Sequence, residues 1–127
     1  MIAVDTSALL AIVLGEPKAE ACIAVLAAEA EVLISAAILA EALIVAARRG
    51  VFEEMASLID GLGFNIVTIT PASARRIAAI YERWGKGVHP AGLNFGDCLS
   101  YDVAKSHSCR LLFIGSDFSK TDLQSAL

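Results

Sequence analysis

The chain has 127 residues, of which 57% are hydrophobic and 19% charged, and carries a formal net charge of −4. That content excludes a disordered segment and fits one folded domain, residues 1–127, with a sizeable core. Three cysteines without C-x-x-C spacing (Cys22, Cys98 and Cys109) argue against a disulfide framework or zinc site and for a reducing, cytoplasmic setting.

Ile2 to Val4 is a short β-type run ending at Asp5, and Thr6 or Ser7 is placed to cap a helix through Leu14, before the Gly15-Glu16-Pro17 break. Lys18 to Ala30 reads as a helix. Val32 to Ser35 is a second strand, with Ser35 as N-cap of a helix to about Arg49 that Gly50 closes. Arg48 and Arg49 in its last turn suit the helix dipole. Val51 to Gly61 is helical, Asn65 to Thr70 is a strand, and Pro71 opens a helix to about Trp84. Gly85 to Gly96 is a glycine-rich loop. Asp97 begins a helix to about His107, Arg110 to Ile114 is the last strand, and a polar tail starts at Gly115. The apolar run from Val32 to Ala47 is broken by Glu41 and is shorter than the roughly 18 to 20 residues of a membrane helix. The N-terminus lacks the basic region of a signal peptide, so the chain is expected to be soluble.

Short apolar strands alternating with helices predict an α/β fold, a parallel sheet with helices on both faces. In such sheets ligands sit beyond the carboxyl ends of the strands, at the topological switch point. Asp5 and Asp117 lie at or just past strand ends, Glu41 in the helix after the second strand, and Asp97 near the start of the helix before the last. If the first strand is central, all four can converge at one end of the sheet.

These carboxylates stand in unusual company. Asp5 is the only charge before Glu16, and Glu41 is the only one between Glu31 and Arg48. Burying an ionised carboxylate without a partner is costly, and neither apolar run holds a Lys or Arg. A cation from solution is therefore the expected partner. Two carboxylates about 4 Å apart repel by roughly 1 kcal/mol in water and about 4 kcal/mol near a protein surface, so a cluster needs protons or cations. Oxygen ligands without His or Cys favour Mg²⁺ or Mn²⁺ over zinc. Such ions support hydrolysis of a phosphodiester. The net negative charge runs against nucleic-acid binding through excess Lys and Arg, although bound metal would offset it.

The segments MIAVDTSALLAIVLGEP, ISAAILAEA, KGVHPAGLNFGDCLSYDVAK and LLFIGSDFSKTDL, in this order and spacing, resemble PIN-domain ribonucleases, most of all the VapC-type toxins of bacterial toxin–antitoxin pairs. The similarity covers nearly the whole chain. It implies a three-layer α/β/α fold and an Mg²⁺-dependent endoribonuclease acting on structured RNA, often tRNA or ribosomal RNA. It also implies a homodimer inhibited by a small antitoxin, often through a segment reaching into the active site. By that resemblance Asp5 and Asp97 match the two principal metal-ligand aspartates. Glu41 matches the acid that completes the cage directly or through water, and Asp117 the more variable fourth acid. Thr6 or Ser7 would orient Asp5, and Asn94 would support the Asp97 loop. Ser116 stands where many relatives carry an acid or amide, which lowers the local charge.

Other readings of the same residues remain. Asp5 and Asp97 could each be a helix cap, Glu41 could pair with Arg48 or Arg49, and Asp117 could form a turn. Asp102, at an i, i+5 offset from Asp97, is expected to point away from the site, on the surface. Arg83, Lys86 and His89 could guide RNA phosphates or simply form a solvated loop. Trp84 and Tyr81 could stack on a base or anchor helices. The rival from another class is a catalytically silent PIN-like module that binds RNA or a protein. A haloacid-dehalogenase-like phosphatase needs a second aspartate where Ser7 stands, and a receiver domain needs segments that are not apparent here.

Overall fold

Ile2, Ala3 and Val4 are all buried, as a strand covered on both faces requires, and they form β1 (Ile2–Val4) at the interior of a parallel sheet. A computed structural model describes all 127 residues. After β1 come α1 (Thr6–Val13), α2 (Ala19–Ala28), β2 (Val32–Ser35), α3 (Ala36–Arg48), α4 (Phe52–Leu62), β3 (Asn65–Val67), α5 (Pro71–Trp84), α6 (Phe95–Ser106) and β4 (Arg110–Leu112). A 3-10 turn at Phe118–Lys120 follows. The strand order is β3-β2-β1-β4, every pairing is parallel, and Val4 lies opposite Leu112. Together with the helices this is a three-layer α/β/α fold.

The order places the switch point between β1 and β4, because the chain first builds outward through β2 and β3 and then returns to the other side of β1. Asp5 follows β1 at that crevice, and its backbone N–H donates to Leu112 O at 3.0 Å. Helix α6 packs across β1, β2 and β4, with α5 against it. The core joins both sheet faces to these helices through side chains such as Ile34, Ile38, Leu93 and Leu111, all essentially inaccessible.

Three expectations from the sequence change. The strands at Asn65 and Arg110 are shorter than predicted, three residues each. Helix α6 starts at Phe95 rather than Asp97, because Asn94 supplies the cap and Asp97 sits at the third helical position. The polar tail folds back: Ala126 is buried, and the tail bonds Leu111 on the outer side of β4 through Gln124 O and Ala126 N. That contact covers a sheet edge that would otherwise offer unpaired backbone groups.

Asp102 is also corrected. It points away from the carboxylate cluster but is buried, because α5 covers that face of α6. Arg76 of α5 grips it with Nε at 2.6 Å and Nη2 at 3.1 Å, and Ser106 Oγ adds a third donor at 3.1 Å. No helix is long and apolar enough to cross a membrane.

Candidate active site

Asp5 leaves β1 in extended conformation and caps α1, so the chain reverses into a helix at the carboxylate itself. Its Oδ2 accepts from Ser7 N at 3.1 Å and from Ser7 Oγ at 2.7 Å. Its Oδ1 accepts from Ser100 Oγ at 2.5 Å. Capping and presentation to the cluster therefore coexist, and Ser7 rather than Thr6 orients the group. The Ser7 hydroxyl in turn accepts from Ile114 N at 3.0 Å, which ties the start of α1 to the segment leading to Asp117.

Asp97 is held by a reciprocal capping box. Asn94 Oδ1 accepts from Asp97 N at 2.8 Å, while Asp97 Oδ2 accepts from Asn94 N at 3.1 Å. Asn94 thus has the supporting place expected of it. Burial pushes the Asp97 carboxyl up to about 6, against the lowering pull of the Asn94 N–H, and the charges of Asp5, Asp117 and Glu41 push the same way. Asp5, Glu41 and Asp117 are therefore each close enough to act on Asp97.

Glu41 reaches this cluster from α3. Its carboxylate lies against Gly96 so closely that a Cβ there would stand 2.6 Å from Glu41 Oε2. Glycine at 96 thus leaves the space that the Glu41 carboxylate occupies, and the carboxylate gains from the positive end of α6. Asp117 is exposed on the loop after β4, preceding the 3-10 turn without capping it by its side chain.

The chain's four ion pairs join Met1 and Arg110 to Glu29, Arg76 to Asp102, and Lys105 to Asp122. None uses a cluster carboxylate, and Glu41 does not pair with Arg48 or Arg49. No three His, Cys, Asp or Glu side chains are gathered into a closed ligand set. Asp97 is the acid on which the charges of the other three converge, and their spacing short of a closed set suits like charges that lack a counter-ion. Thr6, next to Asp5, buries a hydroxyl without any partner in the chain. An all-oxygen donor set with two serine-fixed or capped aspartates fits a hard divalent cation, which Asp5, Asp97, Glu41 and Asp117 could hold.

Nearby groups are less versatile than the sequence allowed. Arg83 lies over the Trp84 ring at 4.5 Å, and His89 meets that ring edge-on at 4.6 Å while its Nδ1 accepts from Ala91 N. Trp84 is buried with its Nε1 donating to Tyr101 Oη, so it is a helix anchor. Cys98 is buried and its thiol is pushed up to about 11, chiefly by burial and further by Asp97, which excludes a thiolate nucleophile at neutral pH. Reading the sequence missed Ser100 and Gly96. Ser100 stands three residues after Asp97, a helical neighbour of it, and that spacing was the available signal.

The PIN domain family profile matches residues 2–123. Ribonuclease VapC36 of Mycobacterium tuberculosis is 41% identical over 128 residues, covering 95% of this chain and 90% of that protein. Ribonuclease VapC30 of the same organism is 40% identical over 123 residues, 94% of each chain. Among solved structures, the sarcin-ricin loop cleaving toxin VapC20 of Mycobacterium tuberculosis superposes with a TM-score of 0.78 at 18% identity, over 97% of this chain and 96% of that one. A toxin–antitoxin complex from Klebsiella pneumoniae gives 0.74 at 20% identity, over 96% and 93%. With its parallel switch-point sheet and acidic cluster, the chain belongs to the PIN domain family and, within it, to the VapC ribonucleases.

Proposed function

We propose that this chain is the toxin of a toxin–antitoxin pair, an Mg²⁺-dependent endoribonuclease, able to use Mn²⁺, that hydrolyses phosphodiester bonds in structured RNA such as tRNA or rRNA. The observation that carries this reading is that Asp5, Glu41 and Asp117 all lie close enough to act on the half-buried Asp97, with no ion pair to any of the four. Names of the relatives support the reaction class, and the Klebsiella complex supports a small antitoxin as partner. A cytoplasmic homodimer completes the proposal.

In this reading Asp5 and Asp97 are the principal metal ligands, Glu41 joins directly or through water, and Asp117 closes the set. When bound, a divalent ion held there would supply activation of water and charge stabilisation of the leaving oxygen. The chain's own work is preorganisation. Ser7 and Ser100 fix both oxygens of Asp5, and the Asn94 capping box fixes Asp97 at the start of α6. Glu41 sits over Gly96 and adds negative charge, which draws the cation and would repel a phosphate arriving alone. Cleavage is therefore conditional on metal.

Purified, antitoxin-free protein incubated with total cellular RNA tests this. Discrete fragments are expected with Mg²⁺ or Mn²⁺, and none with EDTA or with Asp97→Asn. A folded protein that cuts RNA under neither ion, or an Asp97→Asn variant that cuts normally, would be incompatible with the proposal.

A further inference from the structure

An apolar groove of about 650 Å³ runs between α5 and α6 and opens beside the acidic cluster, lined by Ile77, Ala78 and Tyr81 on one side and Phe95 and Cys98 on the other. Two of its residues are large, exposed aromatics: Phe95 is 69% accessible and Tyr81 42%. Phe95 opens α6 two residues before Asp97, so the groove and the cluster share one helix terminus. Asn94 lines the groove and caps Asp97, and Cys98 lines it and adjoins Asp97. Lys86 contributes the single cation of the lining.

We propose that this groove is a nucleobase subsite, holding the base of a nucleotide next to the scissile phosphodiester against Phe95 and Tyr81. The assignment rests on the ribonuclease reading above. Its chemistry matches a nucleotide part by part. An aromatic face offers stacking to any unstacked base, Lys86 offers charge to the flanking phosphate, and the cluster beyond Asn94 takes the phosphate to be cut. The Asn94 amide oxygen is occupied by Asp97 N, which leaves its NH₂ as the donor a base edge would meet. Both walls are helices, so the groove offers no strand edge for an extended peptide to pair with.

The test uses the protein with Ca²⁺ in place of Mg²⁺, so that the cluster carries a counter-ion, and a single-stranded pentaribonucleotide carrying 2-aminopurine at its centre, whose integrity is checked on a gel. A matched probe has an abasic centre. Stacking should quench the 2-aminopurine, and the abasic probe should bind more weakly. Phe95→Ala or Tyr81→Ala should weaken the base-bearing probe about 5- to 150-fold, the range for losing one base–aromatic stack, and abolish the difference between probes. Phe95→Trp should restore both. Equal binding of the two probes, or unchanged binding by Phe95→Ala, overturns the subsite and leaves the groove to a protein partner. The metal-dependent cleavage assay with Asp97→Asn is independent of this. A subsite that fails while cleavage persists defeats the inference alone, and stacking without cleavage defeats the nuclease reading alone.

Discussion

The Ser100 hydroxyl donates to Asp5 Oδ1 at 2.5 Å, joining residues 95 positions apart and locking the middle of α6 to the end of the central strand. Both groups are buried, so the bond acts in a medium of low polarity where hydrogen bonds to charged groups contribute about 1.5–3 kcal/mol. Ser100→Ala should lower stability by about that amount. It should also raise the Mg²⁺ concentration needed for cleavage, because one oxygen of Asp5 loses its fixed direction. Thermal melts and a metal titration check this, and wild-type values in both would remove Ser100 from the positioning role.

Gly96→Ala separates activity from stability. The added methyl must displace the Glu41 carboxylate, which is the flexible end of its side chain, so the fold survives. Alanine in a helix is favoured over glycine by up to about 1 kcal/mol, so the melting temperature should hold or rise. Metal-dependent cleavage should fall tenfold or more. A variant that cuts RNA at the wild-type rate would show that the position of Glu41 is immaterial.

The acidic cluster makes the metal-free protein pH-sensitive. Asp97 is pushed up to about 6, above its usual 3.8, so the folded state holds its proton more tightly than the unfolded chain does. Its contribution to stability is fully present below about pH 4 and is lost as pH rises through about 6. In EDTA, Asp97→Asn should therefore stabilise the protein more at pH 7.5 than at pH 4.5. Melting curves of both proteins at the two pH values provide the comparison, and an equal shift at each would contradict the burial and repulsion at this residue.

Arg76→Ala tests the corrected place of Asp102. Removing Arg76 leaves a buried carboxylate with only Ser106 beside it. Breaking a fully buried pair costs about 3–5 kcal/mol, and the half-exposed Arg76 brings the expectation down to about 2–3 kcal/mol. Denaturant unfolding should show that loss while cleavage per folded molecule stays unchanged. Altered metal dependence would place Asp102 in the site after all.

Much of this architecture is legible along the chain because its signals are short-range. Pro71 opens α5 at the residue expected, Ser35 caps α3, and Ile2–Val4 forms the first strand within the bounds read from the sequence. Asp5 and Glu41 could be singled out because each is the lone charge of an apolar run, where an unpaired charge is costly. The start of α6 was displaced by two residues since Asn94, Gly96 and Asp97 are all competent caps, and only the reciprocal bonds between Asn94 and Asp97 choose among them.

What the sequence alone determined is thus the alternation of elements and the caps of α3 and α5, set by interactions within a few residues. Tertiary structure decided the rest: that β1 lies between β2 and β4, that Ser100 joins Ser7 in holding Asp5, that Glu41 lies against the bare Cα of Gly96, and that Asp102 meets Arg76 instead of water. These depend on strand order and on the rotation of one helix against another. Both are set by how the whole core packs, and no local pattern encodes them.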